Sequence, residues 1–439
     1  MSKTKPRRQL DDVTIADMTH DGRGVARVDG KAVFVDGALT GERVTAEVVR
    51  KKRRFDLART LTVLTPSEDR VEPRCAAFGV CGGCALQHQS IDAQRASKRA
   101  ALAAAFDKIG GVEPQAWLDD LTASEWGYRR RARLGVKDVL RKGRVLVGFR
   151  ERNAPYVADM ERCEVLDPRV GTRIAALAAL VESLDIRARL PQIEVAVGDQ
   201  SVALVLRVLD PPSAEDRARL MAFADEHDVD IYLQSGGLDT VAPLAGATPL
   251  TYRLPAFDLE LAFEPTDFIQ VHGELNRLMV SHTVDLLDPG PQDRVLDLFC
   301  GLGNFSLPLA RRAGEVLGVE GDLALTERAR GNAERNGLTN TRFEMADLFD
   351  ASLGWGFKDE SFDLALIDPP RTGAEAVLAS VSATGVRRIV YVSCHPGTLA
   401  RDAKTLVHEH GFTLSRAGIM DMFPHTAHVE SVAVFDRAR

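Results

Sequence analysis

Residues 294–310 read RVLDLFCGLGNFSLPLA, an apolar strand running through a two-glycine turn into an apolar helix. Gly301 and Gly303 let the backbone turn tightly and approach a ligand closely. A lone GxG is common in tight turns, so the context decides. A second strand, VLGVEGD, ends in Glu320, about twenty residues after the glycines, where a doubly wound fold places an acid to hold ribose hydroxyls. The pattern lacks the third glycine of a dinucleotide fingerprint. Asp347 in EMADLFD follows another short strand, and Asp368 in DLALIDPPRTG ends the next. Helix and strand alternate from Phe263 onward, which predicts an α/β, Rossmann-like domain with a mostly parallel sheet. Helix capping accounts for any one of these acids alone, but not for the ordered set at successive strand ends.

Upstream the pattern changes. Between 13 and 66 the short runs VTIADM, GVARVDG, KAVFVDG, RVTAEVV and RTLTVLT alternate with Asp-Gly and Gly-Glu turns, which predicts a small OB-like β-barrel. Residues 1–12 are expected to be a disordered tail. Residues 67–262 mix strands and helices, an α+β central domain containing a proline- and glycine-rich stretch, GGLDTVAPLAGATP. Its first helix follows Ser90 as N-cap and stops at Gly110, and the segment of about 90–120 is expected to pack on the α/β domain, 263–439. The whole is a multidomain chain of 439 residues.

Charge is distributed unevenly. Met1–Thr60 carries fourteen Lys and Arg against nine Asp and Glu, although the chain's net charge is −7. The basic runs VVRKKRRFDLART and YRRRARLGVKDVLRKGR can steer a polyanion even on an acidic protein, with solvated faces as the plain alternative. Phe55 and Tyr128, beside these runs, are candidates to stack on bases or to fill the core. No apolar run reaches membrane-spanning length, and the basic N-terminus has no apolar stretch behind it, so a cytoplasmic protein is expected.

Thiols in such a compartment point to metal binding or catalysis before disulfides. Three of the six cysteines fall within CAAFGVCGGC: Cys75, Cys81 and Cys84. Cys394, in RIVYVSCHPGTLARD, stands where a strand ends, on the functional rim of such sheets; an inert buried thiol is the alternative. Cys300, inside the glycine turn, reads as a packing residue.

The ordered segments FIQVH, DLFCGLGNFSLPLA, GVEGD, DPPR, VSCHPGTLARD and HVESVAVF resemble the RNA uracil-5-methyltransferase family over nearly the whole chain. With the barrel and the cysteine cluster, they resemble the larger bacterial type acting on 23S rRNA, which carries a TRAM domain and a [4Fe–4S] cluster. The resemblance implies methyl transfer from S-adenosyl-L-methionine to carbon 5 of a 23S rRNA uridine, the 1939 site, through a covalent cysteine–uracil adduct. It implies Cys394 as nucleophile and Glu430 as base, with Gln270, Phe299, Asn304, Glu320, Asp347 and Asp368 around the methyl donor. His395 and Arg401 are possible helpers to the thiolate. It implies Cys75, Cys81, Cys84 and Cys163 as cluster ligands, with zinc as the alternative by ligand count. The spacing CxxxxxCxxC is not the CxxxCxxC of radical enzymes, so the cluster reads as structural. His425 and His428 read as loop or packing residues. His272 stands where members often have asparagine. The expected partner is 23S rRNA or its precursor particle, bound by a monomer. The same chemistry on tRNA or another rRNA uridine, and a non-catalytic RNA-binding factor, stay open as alternatives.

Overall fold

A computed structural model of the chain describes residues 8–19, 21–350, 352 and 354–437. The chain forms two compact units: Met1–Lys98, Phe149–Met160 and Phe423–His428 make the first, and Arg99–Gly148, Glu161–Met422 and Val429–Arg439 the second.

In the first unit six strands form one sheet around an apolar core. In sheet order they are Gln9–Thr14, Arg43–Lys51, Phe55–Thr65, Lys31–Asp36, Gly24–Val28 and Asp17–Met18. Alternate residues turn inward, so Val44, Ala46 and Val48 share one core with Ala58 of the adjacent strand and with Val33 and Val35 of the strand beyond it. The tail expected over 1–12 does not include Gln9–Asp12. Gln9 pairs with Glu47 and Leu10 with Ala46, so Gln9–Asp12 belongs to a strand, and residues 1–7 lie outside the described residues. The sequence there looks disordered because its acids face out while Leu10 alone turns in. The barrel's exit is pinned by Glu42. Its fully buried carboxylate accepts from Leu39 N at 2.8 Å, Ser67 N at 3.2 Å and the Arg70 guanidinium at 2.5 Å.

The second unit holds two large sheets and a separate two-stranded hairpin. The central one has six strands, in order Val241–Pro243, Asp230–Gln234, Val202–Arg207, Gln192–Val197, Arg131–Val139 and Arg144–Gly148. The stretch expected as a linker therefore contributes Val241–Pro243 as an edge strand.

The other sheet has eight strands, in order Thr341–Met345, Glu315–Glu320, Arg294–Leu298, Leu364–Ile367, Arg388–Ser393, Glu430–Arg437, Phe412–Met420 and Ala116–Trp117. The first five run parallel, and Glu430–Arg437 runs antiparallel to both neighbours. The strand order reverses direction beside Arg294–Leu298, and that switch point opens the crevice where α/β sheets bind ligands. Leu296, Leu298, Ala365, Ile367, Ile389 and Tyr391 are essentially buried, as expected of strands covered on both faces.

Ala116–Trp117 joins this sheet beside Arg416–Ala417, and Leu102 and Phe106 enter its core. The catalytic domain also starts before 263. The hairpin Leu250–Leu254 and Leu259–Phe263 lies against the helix Leu323–Arg335, where Asn332 Oδ1 accepts from Ala262 N at 2.8 Å. Asn336 Oδ1 likewise accepts from Glu260 N at 3.0 Å.

Candidate active site

The parallel strands present their carboxyl ends along one rim. Phe299 follows Leu298 directly, Glu320 ends its strand, Asp347 lies two residues past Met345, and Asp368 follows Ile367. The glycine turn connects the first two. Phe299 has φ 64°, an unusual conformation for a bulky side chain, and Gly301 and Gly303 have φ 55° and 95°. Gly301 N donates to Glu320 Oε2 at 2.9 Å, while Glu320 Oε1 accepts from Gly321 N and Asp322 N at 2.8 and 3.0 Å. A Cβ on Gly301 would meet nothing within 4 Å, so the turn has open space on that side. A Cβ on Gly303 would come within 2.3 Å of Leu307 Cδ1, so only glycine fits there.

Asn304 closes the turn. It exchanges two 3.0 Å hydrogen bonds with Asn276 and accepts a third from Tyr252 Oη at 2.9 Å. Gln270 is half-buried, two residues before His272, the N-cap of the helix Gly273–Leu287 that carries Asn276. Asp347 is exposed, and its carboxylate accepts from Phe349 N at 2.9 Å. Phe349 packs tilted against Phe299, with ring centroids 5.6 Å apart.

Sequence reasoning passed over Asp297, a carboxyl in the middle of an apolar strand. It is fully buried and accepts from Ser306 Oγ at 2.5 Å, and its Oδ1 has no hydrogen-bond partner among the described residues. Burial pushes this carboxyl up to about 8, against the pull of the Ser306 bond. An acid inside RVLDLF was the signal: a carboxyl placed among buried apolar residues carries a cost that function must explain.

The thiol and the carboxyl assigned to chemistry meet through strand register. Ser393 pairs with Ser431 across the antiparallel strands, so Cys394 stands opposite Glu430 at the same rim. Ser431 Oγ also donates to Ser393 O at 3.2 Å. Cys394 is half-buried and Glu430 is 5% exposed. Burial pushes the Cys394 thiol up to about 11, with Glu430 and Asp368 adding to the rise and Arg371 opposing it. Burial also holds the Glu430 carboxyl well above the usual range, helped by Asp368 and opposed by Arg371. Asp368 itself rises to about 7 by burial alone. Three acidic groups that disfavour one another's charge thus share one crevice.

The cation acting on this pair is Arg371 of the DPPR segment. Arg401 is committed elsewhere. Its Nε and Nη2 donate to Asp402 Oδ1 at 2.8 and 2.7 Å, and Nη2 also donates to Thr372 O at 3.0 Å. His395 caps the helix Pro396–His408, accepting from Thr398 N at 3.2 Å.

Asp402 is the larger omission from the sequence reading. It is fully buried, and its Oδ2 accepts from Tyr391 Oη at 2.6 Å and Ala374 N at 2.7 Å. Tyr391 lies on the strand that ends at Cys394, and Ala374 follows the loop that starts at Asp368. One carboxylate therefore ties the thiol's strand to the acid's loop.

The basic runs divide. Arg50, Lys51, Lys52, Arg53 and Arg54 are all exposed, at the tip of the barrel hairpin, next to a half-buried Phe55 that packs edge-on against Phe34 at 5.3 Å. The second run is split: Arg129, Arg130 and Arg131 are half-buried, while Arg133, Lys137, Arg141, Lys142 and Arg144 are exposed. Arg130 pairs with Asp199 at 2.7 Å and Arg133 with Glu194 at 2.9 Å, and Tyr128, 4% exposed, stacks on His272. Tyr128 is therefore a core residue and not a platform for bases.

All six cysteines are thiols, not disulfides. In the first unit Cys75, Cys81 and Cys84 share one loop, where Cys75 N donates to Gln87 Oε1 at 3.1 Å. Gly83 N donates to Cys81 Sγ at 3.4 Å, a contact that favours a thiolate, and a Cβ on Gly83 would approach that sulfur to 3.5 Å. His425 of the same unit is a packing residue, its carbonyl accepting from Ala85 N and Leu86 N at 2.9 Å each. Cys163 is buried in the second unit, its N donating to Gly171 O at 2.8 Å. Among the described residues, no three His, Cys, Asp or Glu side chains meet as a group that could hold a metal ion. Cys75, Cys81, Cys84 and Cys163 share only the donor chemistry, soft thiols of the type that iron–sulfur clusters and zinc take. Nor is any helix among them long and apolar enough to cross a membrane.

Comparison with known proteins follows the same division. Residues 7–61 match the TRAM domain model, and 249–438 match the model described as tRNA (Uracil-5-)-methyltransferase. The latter starts at the hairpin that packs on the catalytic sheet. The fold resembles that of the Pyrococcus abyssi tRNA (uracil-54, C5)-methyltransferase in complex with S-adenosyl-L-homocysteine. The TM-score is 0.75 at 24% identity, over 97% of this chain and 100% of that one. The 23S rRNA (uracil(1939)-C(5))-methyltransferase RlmD of Stenotrophomonas maltophilia (strain R551-3) is 53% identical over 427 residues, 96% of each chain. The enzyme of the same description from Xanthomonas oryzae pv. oryzae (strain MAFF 311018) is 52% identical over 443 residues, the full length of both. By that full-length identity, the chain belongs to the RNA uracil-5-methyltransferase family.

Proposed function

We propose that the protein transfers a methyl group from S-adenosyl-L-methionine to carbon 5 of one uridine in 23S rRNA, the 1939 position of its relatives' name. The register that sets Cys394 opposite Glu430, on the rim shared with the glycine turn, carries this reading.

Carbon 5 of uracil is a weak nucleophile toward a sulfonium methyl. Addition of the Cys394 thiolate to carbon 6 turns the ring into an enolate, and carbon 5 then attacks the methyl, releasing S-adenosylhomocysteine. Glu430 next takes the carbon-5 proton, the carbon 5–carbon 6 double bond re-forms, and the thiolate leaves. A raised carboxyl suits that role, because its conjugate base binds a proton more firmly than an ordinary carboxylate does. The positive sulfonium also fits a crevice lined by Glu430 and Asp368, since it offsets the acids that hold the thiol protonated.

Gln270, Phe299, Asn304, Glu320, Asp347 and Asp368 are the residues proposed to hold the methyl donor. The open side of Gly301 and the half-exposed Glu320 support that assignment. The exposed hairpin run 50–54 is proposed to track phosphates, and the uridine to leave its stack to reach the thiol. Cys75, Cys81, Cys84 and Cys163 are the residues that would hold a [4Fe–4S] cluster, whose part would be structural. The resemblance and the Gly83–Cys81 contact support it. Iron and sulfide analysis of anaerobically purified protein tests this, and stoichiometric zinc would replace the cluster by the zinc reading.

The test of the function is a methylation assay with tritiated S-adenosylmethionine and unmodified 23S rRNA, tRNA in parallel, and the labelled nucleoside mapped. 5-Methyluridine at one 23S position is expected. Label in tRNA would overturn the substrate assignment, and no label from protein of full metal content would overturn the enzymatic reading.

A further inference from the structure

His272 is fully buried yet makes three separate connections. Its ring Nδ1 accepts from Leu275 N at 3.2 Å, capping the helix Gly273–Leu287. Its Nε2 lies 2.8 Å from Ser124 O, and its own carbonyl accepts from Asn276 N at 2.8 Å. A nitrogen that accepts from an amide carries no proton, so Nε2 is the donor, and the partners select one neutral tautomer. The ring stacks on Tyr128 with centroids 4.8 Å apart and planes 17° from parallel. Ser124 is gripped twice, because its N donates to Glu274 Oε2 at 3.1 Å.

The helix that this ring caps leads to the methyl-donor turn. Asn276, one residue past the capped amide, exchanges two hydrogen bonds with Asn304. Gln270 lies two residues before the cap on the other side. We infer that neutral His272 is a positioning residue for the methyl donor: it holds the helix start that fixes Asn276 against Asn304, and acid loosens the donor's site by protonating the ring. This rests on the reading of that crevice as the S-adenosylmethionine site.

The physical reason is direct. A protonated ring turns Nδ1 into a donor facing the Leu275 amide and adds positive charge at a helix N-terminus, where the backbone dipole already presents one. The charged groups facing the ring are Glu274 on its own helix, Asp421 beyond the strand Phe412–Met420, and Arg130 beside Tyr128. Burial outweighs the two carboxylates, and the ring titrates below its ordinary value of 6.5. The folded state therefore prefers the neutral ring. Its contribution is complete above pH 6.5 and is lost as pH falls from there through the lowered value. Asparagine caps a helix without titrating, so His272→Asn separates capping from acid sensitivity.

The experiment measures the dissociation constant of S-adenosylmethionine and the unfolding midpoint of the full chain across mildly acid to mildly alkaline pH. Wild type, His272→Asn and His272→Ala are compared. Asp368 and Asp297 titrate in this range in all three proteins, so the readout is the difference between profiles. Asparagine is expected to bind the donor as wild type does in mild alkali, and alanine about tenfold more weakly, as expected for a lost cap. Below the ordinary imidazole value wild type should weaken by about as much relative to asparagine, with its unfolding midpoint falling in step. Parallel profiles for wild type and asparagine, in both binding and midpoint, would overturn the inference. A divergence in midpoint without donor binding at any pH would instead overturn the crevice's assignment, along with the claim that His272 tunes it.

Discussion

The Cys394 thiol should become more reactive when the methyl donor binds, and the donor's charge should be the reason. Burial, Glu430 and Asp368 push the thiol up to about 11, so at pH 7.5 only about one molecule in 3,000 carries the thiolate. An ordinary cysteine with a value of about 8.5 is about a tenth ionised there. The rarer thiolate is intrinsically the better nucleophile, with a Brønsted slope near 0.45, so the net handicap toward an alkylating agent is about 25-fold. Carbons 5 and 6 are neighbours in one ring, which sets the donor's sulfonium about 8 Å from the sulfur, and a unit charge at that distance contributes about 2 kcal/mol at an effective dielectric of 20. That corresponds to about thirtyfold more thiolate and, after the loss in nucleophilicity, about sixfold faster alkylation. The assay is iodoacetamide labelling of Cys394 followed by peptide mass spectrometry, in protein alone and with saturating S-adenosylmethionine or S-adenosylhomocysteine. The neutral thioether fills the same space without the charge and controls for occlusion. Equal effects of the two, or a thiol in the unliganded protein that reacts as fast as a cysteine peptide, would refute this electrostatic account.

Other consequences follow from the same geometry. Asp402→Ala strands the buried Tyr391 hydroxyl and the Arg401 guanidinium, and should cost the second unit about 3–5 kcal/mol in urea unfolding. All three tryptophans, Trp117, Trp126 and Trp355, lie in that unit, so their fluorescence reports it alone. Glu430→Gln retains the nucleophile but removes the base, so it should accumulate a methylated, denaturation-resistant protein–RNA adduct visible as a retarded band. Joint replacement of Lys51, Lys52, Arg53 and Arg54 by alanine should weaken 23S rRNA binding and lower the salt dependence of log K by about 2–4, with donor affinity unchanged in calorimetry.

Much of the catalytic architecture was readable in the order of residues because its determinants are local. An apolar strand, two glycines and a helix specify the turn, and acids at strand ends need only the next strand's position to share a rim. Cys394 and Glu430 were assigned by resemblance, and only the strand register gives that pair a physical basis. What stayed hidden depends on partners far along the chain. Asp402 becomes meaningful once Tyr391 and Ala374 are seen to donate to it, and Arg130 at the start of the second basic run turns inward once Asp199 is found beside it, while the rest of that run stays largely exposed. The catalytic boundary was misplaced for the same reason, because the hairpin before 263 finds its partners at Asn332 and Asn336. His272 looked like a departure from the family pattern, and its burial shows a helix cap in which imidazole occupies the position of an amide.

The most direct test of the account is a 23S rRNA fragment carrying 5-fluorouridine at the methylated position, incubated with the protein and S-adenosylmethionine. Fluorine at carbon 5 leaves no proton for Glu430 to remove, so the reaction should halt after methyl transfer. The account predicts one digest peptide in which Cys394 is bonded to carbon 6 of a uracil bearing both methyl and fluorine. A linkage through another cysteine, or full methylation of ordinary RNA by the Cys394→Ala protein, would contradict it.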